Sequence, residues 1–396
     1  LLIAVYAATV SSTPPSRLAA RAPYAEVTVG GERVALLRDG EQAYPAMLAA
    51  IAAAKRTICF ETYILRDDAT GLRFLDALVE RASAGVLVLL LYDAWGSRVS
   101  EATLERLREA GVVVRPFRPW RFTGSLLRSI AQHRRRNHRK SLVVDGDVAF
   151  TGGMNVADDY APVEDGGAGW RDTHLRIVGP SAQKLETLFL ETWRRNHGPR
   201  VDASRFVRAR APSASGLRIV GNGFVRDKKQ VRTAYLEAFS HAKQRIFVTN
   251  AYFLPPARVV RELTAAARRG VRVAVILAAT TDVKLVLHAA RGLYPKLLRG
   301  GIELYEWSDA RVLHAKTAVV DGHWTTVGST NLDPLSLMRN LEVNAIVEDA
   351  TFGAAAERLF LEDLAGCRRI TFDELRRYGP VARLLSWLAW RLRLWL

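Results

Sequence analysis

The feature that most limits what this chain can fold into is that it repeats itself. The stretch "ASAGVLVLLLYD" (residues 82–93) has a counterpart in "AARRGVRVAVILA" (residues 266–278). Each reads as the end of a helix, a glycine stop and a β-rich apolar run. "LREAGVVVRPF" (107–117) matches "LLRGGIELYEW" (297–307), and "AAAKRTICFETYIL" (52–65) matches "SHAKQRIFVTNAYFL" (240–254) with one residue of slippage. The pieces come in the same order in both halves. Strands alternating with helical segments predict α/β architecture with buried central strands. The period is far too long for a solenoid, so a whole domain is duplicated. The Pro-, Ser-, Gly- and Arg-rich stretch "GPRVDASRFVRARAPSASG" (198–216) is the expected linker. The first repeat is expected over residues 24–200 and the second over 216–370.

Near the end of each repeat stands the same polar pattern. "HRKSLVVDGDVAFTGGMN" begins at His138, and "HAKTAVVDGHWTTVGSTN" begins at His314. Both open on H-x-K-x-x-x-x-D. On a strand, alternate residues share a face, so His138 projects with Lys140 and His314 with Lys316. A turn at "DGD" or "DGH" leads to a second strand. There Ser329 and Asn331 alternate onto one face, with Asn155 the counterpart of Asn331.

Two such surfaces brought together give two imidazoles across a pocket, ringed by ammonium and amide groups. That is a cradle for a phosphate, whose non-bridging oxygens gain charge in the transition state. One histidine can attack phosphorus while the other protonates the departing alkoxide, with roles reversed in a second step. A double displacement needs two histidines, which explains the duplication. Each ring also needs its other nitrogen held, usually by a carboxylate. Asp172 in "WRDTHLRIVGP" and Glu342 in "RNLEVN" are the candidates. Asp145 and Asp321, at the turns, are expected to brace the loops rather than touch substrate.

These residues resemble the phospholipase D superfamily, and more narrowly its cardiolipin-synthase branch of the shorter type without long N-terminal spanning helices. "NHRKSLVVDGDVAFTGGMN", "WRDTHLRIVGP", "NAYFLPP" and "LHAKTAVVDGHWTTVGSTNLDPLSLMRNLEVN" carry the likeness, which runs from about Val34 to Arg369. The resemblance implies two similar α/β/α sandwich domains related by a pseudo-twofold, with one shared active site. It implies a covalent phosphatidyl-histidine intermediate, no cofactor and no required metal. The reaction would join two phosphatidylglycerol molecules into cardiolipin and release glycerol. His138 maps to the residue often taken as nucleophile, leaving His314 as acid and base. The first motif has Gly153 where the second has Ser329, so a serine hydroxyl contributes from one side only.

Composition narrows the partners. The chain has 396 residues, 49% of them apolar, and a formal charge of +17. It is therefore expected to be globular, with a polyanionic partner: nucleic acid, an anionic membrane or a phosphorylated substrate. Its two cysteines, Cys59 and Cys367, form no C-x-x-C or Cys/His cluster, so neither a zinc site nor a disulfide framework is indicated. The superfamily includes nucleases, but two segments favour lipid, and no nucleic acid is expected. In "PFRPWRFTGSLLRSIAQHRRRNHRK" (116–140), Trp120, Phe122, Leu126, Leu127 and Ile130 interleave with arginines. This reads either as a surface helix with a solvated basic face or as an interfacial element beside the pocket.

The C-terminus, "YGPVARLLSWLAWRLRLWL", predicts an amphipathic helix over 376–396. It places Leu384, Leu385, Leu388, Leu392 and Leu396 on one face, and Arg383, Arg391 and Arg393 on the other with Trp387 and Trp390. Such a helix either docks on the core or lies in the headgroup plane. Its arginines argue against spanning, and "LLIAVYAATV" at the N-terminus is shorter than the ~20 residues a spanning helix needs. The expectation is a peripheral protein on the cytoplasmic face of a bacterial inner membrane, with phosphatidylglycerol as substrate. A hydrolytic phospholipase D and a nuclease are the rival readings.

Overall fold

The computed structural model describes residues 22–119, 135–206, 216–223, 229–281 and 283–391. The N-terminal apolar stretch, most of the 116–140 segment, residues 207–215 of the expected linker and residues 392–396 lie outside the described residues.

The first half runs β1 (Ala25–Val29), β2 (Glu32–Arg38), α1 (Asp39–Ala52), β3 (Thr57–Thr62), α2 (Ala69–Ser83), β4 (Leu87–Asp93), α3 (Glu101–Glu109), β5 (Val113–Phe117), β6 (Ser141–Val144), β7 (Val148–Gly152), β8 (Thr173–Val178) and α4 (Ser181–Arg195). The second runs β9 (Leu217–Gly221), α5 (Gln230–His241), β10 (Arg245–Asn250), α6 (Ala257–Arg268), β11 (Arg272–Ala278), α7 (Lys284–Arg299), β12 (Glu303–Trp307), β13 (Lys316–Val320), β14 (Trp324–Gly328), α8 (Pro334–Met338), β15 (Val343–Glu348), α9 (Ala350–Ala365) and β16 (Cys367–Ile370). Two helices follow, α10 (Phe372–Arg377) and α11 (Pro380–Arg391).

Each half builds one mixed sheet. The orders are β1-β2-β8-β7-β6-β3-β4-β5 and β16-β12-β11-β10-β13-β14-β15-β9. Apart from the added edge strands β1 and β16, the two sheets have the same strand order, β2-β8-β7-β6-β3-β4-β5 matching β9-β15-β14-β13-β10-β11-β12, as an internal duplication requires. The three consecutive strands β3-β4-β5 are parallel, as are β10-β11-β12. Runs such as "LVLLLYD" in β4 are apolar up to the closing Asp93 because both faces of the sheet are covered.

The layers follow from which residues are buried together. Outward-facing Phe60, Leu90 and Leu142 pack under α1–α3, and Val248, Val275 and Ala318 pack under α5–α7. The inward faces share one core. Leu36, Val143, Leu175 and Ile177 of the first sheet meet Val319, Val327, Val343 and Ala345 of the second, flanked by α4 and α9. The duplicated α/β architecture and its joined halves are thus as expected.

Asp145 and Asp321 sit at the hairpin turns with φ of 53° each, followed by Gly146 and Gly322 at 69° and 64°. Asp-Gly is the pair that tolerates this left-handed geometry. The Asp145 carboxylate accepts three backbone N–H groups, from Lys55, Arg56 and Thr57. That of Asp321 accepts from Lys243, Gln244 and Arg245. Both aspartates therefore tie the turn to the strand beside it, and neither bonds a histidine.

Candidate active site

Each histidine arrives at the site held by the opposite half. The backbone N–H of His138 donates to Leu341 O at 2.9 Å, and that of His314 donates to Arg171 O at 2.8 Å. Bridges at Asn137–Leu341 and Arg171–Leu313 extend the pairing. The residue after each acceptor then supplies the carboxylate. Glu342 holds His138 Nδ1 at 3.0 and 3.1 Å, and Asp172 holds His314 Nδ1 at 2.7 Å. The orienting carboxylates therefore cross over between the repeats. With Nδ1 donating to a carboxylate, Nε2 is the nitrogen left to react.

Behind these contacts the two sides differ. Ser329 Oγ donates to Glu342 Oε2, and Val343 N–H donates to Ser329 Oγ at 3.0 Å. On the other side, a Cβ placed on Gly153 would lie 2.1 Å from Asp172 Oδ1. The glycine is what lets Asp172 stand where it does. The first-half asparagine also differs from its counterpart. Asn155 Oδ1 accepts Ile64 N–H at 3.1 Å, and its Nδ2 donates to Tyr160 Oη at 2.8 Å. Asn331 is buried with Oδ1 lacking a hydrogen-bond partner. Asn155 therefore braces Tyr160, whose hydroxyl lies 3.3 Å from His314 Nδ1.

Lys140 and Lys316 are buried. Lys140 Nζ donates to His138 O at 2.7 Å, while Lys316 Nζ lies 2.9 Å from His314 Nδ1 and donates to His314 O. Burial lowers Lys140 to about 7, with Glu342 opposing the shift and Lys316 adding to it. Burial also holds both imidazoles towards the neutral form. His314 falls to about 4, with Lys316 adding to the effect and Asp172 opposing it, and His138 falls with Glu342 opposing. Each imidazole also feels the lysine of the other half. The two motifs thus form one electrostatic unit.

Four aromatic rings complete the site. Tyr63 meets the His138 ring at 4.9 Å, while Tyr160, Trp170 and Tyr252 meet the His314 ring at 5.4, 5.8 and 6.1 Å. Lys140 and Lys316 lie over Tyr63 and Tyr252 at 5.2 and 6.0 Å. Reasoning from sequence missed all four rings. The signal was present for two: Tyr63 and Tyr252 occupy matching places in "ETYIL" and "NAYFL", just past the ends of β3 and β10.

Also missed was Arg171, buried behind Asp172. Its guanidinium bonds Asp363 at 2.7 to 3.1 Å and lies 3.4 Å from Asp39, which itself accepts Asp172 N–H. Among the described residues, no group of three or more His, Cys, Asp or Glu side chains is placed to hold a metal ion.

A family model described as "Cardiolipin synthase, PLD-like domain" matches residues 47–193 and 235–364, one stretch in each half. Cardiolipin synthase 2 of Bacillus anthracis is 32% identical over 345 residues, covering 86% of this chain and 66% of that protein. Cardiolipin synthase B of Salmonella typhimurium is 36% identical over 337 residues, covering 81% of this chain and 78% of that protein. The chain thus spans about two thirds of the length of the first of these relatives. Among solved structures, phosphatidylserine synthase of Haemophilus influenzae Rd KW20 has the same fold. Its TM-score is 0.69 at 13% identity, over 91% of this chain and 93% of that one.

Proposed function

The chain belongs to the cardiolipin synthase family of phospholipase D-like proteins, and on that premise we propose that it is a phosphatidyltransferase that joins two phosphatidylglycerol molecules into cardiolipin and releases glycerol. The observation that carries this reading is the crossed clamp: two imidazoles, each held at Nδ1 by a carboxylate of the opposite repeat.

In the first step, His138 Nε2 attacks phosphorus. The bond to the glycerol oxygen breaks, and His314 gives that oxygen a proton. In the second step, the hydroxyl of another phosphatidylglycerol attacks the phosphatidyl-histidine. His314 takes the hydroxyl proton, and the P–N bond breaks to restore His138.

A neutral His138 suits attack. His314 must carry a proton to act as an acid, whereas burial, by lowering it to about 4, favours the neutral ring near pH 7. The phosphodiester brings a negative charge between the rings, which raises the affinity of His314 for that proton. Glu342 and Asp172 stabilise each imidazolium as it forms. Lys140, Lys316 and Asn331 supply donors to the non-bridging oxygens, while Ser329 and Asn155 act through Glu342 and Tyr160. Asp145 and Asp321 act on the turns that carry the strands.

The bacterial relatives and the basic chain support a peripheral protein on the cytoplasmic face of the inner membrane. Among the described residues, no helix is long and apolar enough to cross a membrane. The test is incubation of the pure protein with phosphatidylglycerol vesicles, with products resolved by mass spectrometry. Cardiolipin with an equal amount of glycerol is expected. Phosphatidic acid as the main product would replace transfer by hydrolysis.

A further inference from the structure

The expected C-terminal helix both docks and stays open. It begins at Pro380, a residue suited to a first helical turn, after Tyr378 has left the helical region. One face of α11, with Ser386 and Ala389 buried, lies on α7. The approach is close: a Cβ on Gly292 of α7 would stand 2.4 Å from Ser386 O and 2.8 Å from Trp390 Cβ. The other face exposes Leu385, Trp387 and Leu388, each with more than two fifths of its surface in water. Arg391 lies over the Trp387 ring at 5.2 Å.

The helix beneath leads back to the histidines. The start of α7 exposes Val283, Lys284 and Leu285, and Leu285 is two turns before Gly292 on the same helical face. Just inside, Thr281, Val286 and Leu287 line a cleft together with Tyr252, the ring beside His314. The opposite half repeats the arrangement. Trp95, 70% exposed, follows β4 beside Asp93, whose carboxylate binds Arg136 and the N–H of Asn137 just before His138. From the second half itself, Met338 is exposed at the end of α8, three residues before Leu341, whose carbonyl holds the His138 backbone.

We propose that the outer face of α11 and the exposed apolar rim formed by Val283, Leu285, Trp95 and Met338 are one lipid-contacting surface, which sets the site mouth against an anionic phospholipid bilayer. The rim takes its meaning from the catalytic reading above, because Tyr252, Asp93 and Leu341 connect its parts to the segments that carry the two histidines. The occupant follows from chemistry. Soluble proteins rarely leave large apolar side chains clustered in water. Here they alternate with Lys284 and Arg391 on a chain of net charge +17, and tryptophan beside arginine suits the headgroup layer. A surface so placed lets a diacyl lipid reach the histidines without its chains crossing water.

The test uses the full chain and two variants on opposite halves of the rim, Val283→Glu/Leu285→Glu and Trp95→Glu, with Leu388→Glu for the helix. All four side chains are exposed, so folding is expected to be kept. Co-sedimentation with phosphatidylglycerol vesicles should weaken about tenfold in each variant. Turnover of vesicle substrate should fall in parallel, while turnover of a dissolved short-chain phosphatidylglycerol stays within about twofold, because only the interfacial step is lost. Vesicle binding within about twofold of the parent would overturn the surface, since loss of buried apolar area cannot be silent. So would a parent dimer in light scattering that dissociates in the variants, which would make a second copy the occupant. Binding is read without turnover. A parent that binds vesicles but makes no product would therefore count against the phosphatidyltransferase reading while a loss in the variants still supports the surface.

Discussion

Gly153→Ala is a one-carbon change that should cost this protein much of its turnover. The added Cβ would stand 2.1 Å from Asp172 Oδ1 and 2.7 Å from its Oδ2. Ordinary contact begins near 3.4 Å, so the carboxylate must retreat by about 1 Å, well beyond what a bond to His314 Nδ1 of 2.7 Å tolerates. Asp172 has little room, since its Oδ1 also accepts Thr173 N–H at 2.7 Å. A charge-assisted hydrogen bond of this kind contributes about 1.5–3 kcal/mol. Its loss at the proton-transferring histidine predicts a fall in kcat of roughly 10- to 100-fold. The assay is kcat on phosphatidylglycerol vesicles, with thermal unfolding as the control for folding. Ser329→Gly, at the matching place in the other repeat, removes only the hydroxyl that supports Glu342 and should cost less than about tenfold. Gly153→Ala with the kcat of the parent, or Ser329→Gly as the more damaging change, would refute the argument that Asp172 needs the space the glycine leaves.

Further expectations concern the groups behind the site. Asp363→Asn removes the main partner of the buried Arg171, whose carbonyl holds His314 and whose neighbour is Asp172, so unfolding free energy should drop by about 3–5 kcal/mol. A urea titration showing a drop below about 1 kcal/mol would contradict the clamp. His174 is buried with neither ring nitrogen hydrogen-bonded, and burial lowers it to about 4. A depressed folded value means that its contribution is full above the unfolded value near 6.5 and is lost as pH falls towards 4. His174→Asn copies the residue at the equivalent Asn344 and should remove about 2–3 kcal/mol of the stability loss between pH 7 and pH 4. Identical pH slopes in parent and variant would show that His174 is not buried in its neutral form.

The sequence revealed the paired motifs through residue spacing, because alternation on a strand is a local property. His138 with Lys140, and the duplicated order of strands, needed no knowledge of the partner half. The crossing of Asp172 to His314 and of Glu342 to His138 was not legible, since it depends on how two sheets face each other. Nor was the difference between Asn155 and Asn331, which share a motif position. Only the neighbouring Ile64 N–H and Tyr160 hydroxyl occupy the first amide. Arg171 hid beside Asp172 as an ordinary basic residue, because its partner Asp363 lies 192 positions away. The C-terminal helix showed its apolar surplus plainly, but not that Gly292 would seat it on α7 by the other face.

The central claim is that one histidine of the pair carries the phosphatidyl group while the other moves the proton. The direct measurement is to mix protein and phosphatidylglycerol, quench in alkali within a turnover, and locate the modified peptide by mass spectrometry. The account predicts a phosphatidyl group on His138 in the parent and none in His138→Ala, which should not turn over. Full turnover with no modified histidine at any time, or a His138→Ala variant as fast as the parent, would contradict it.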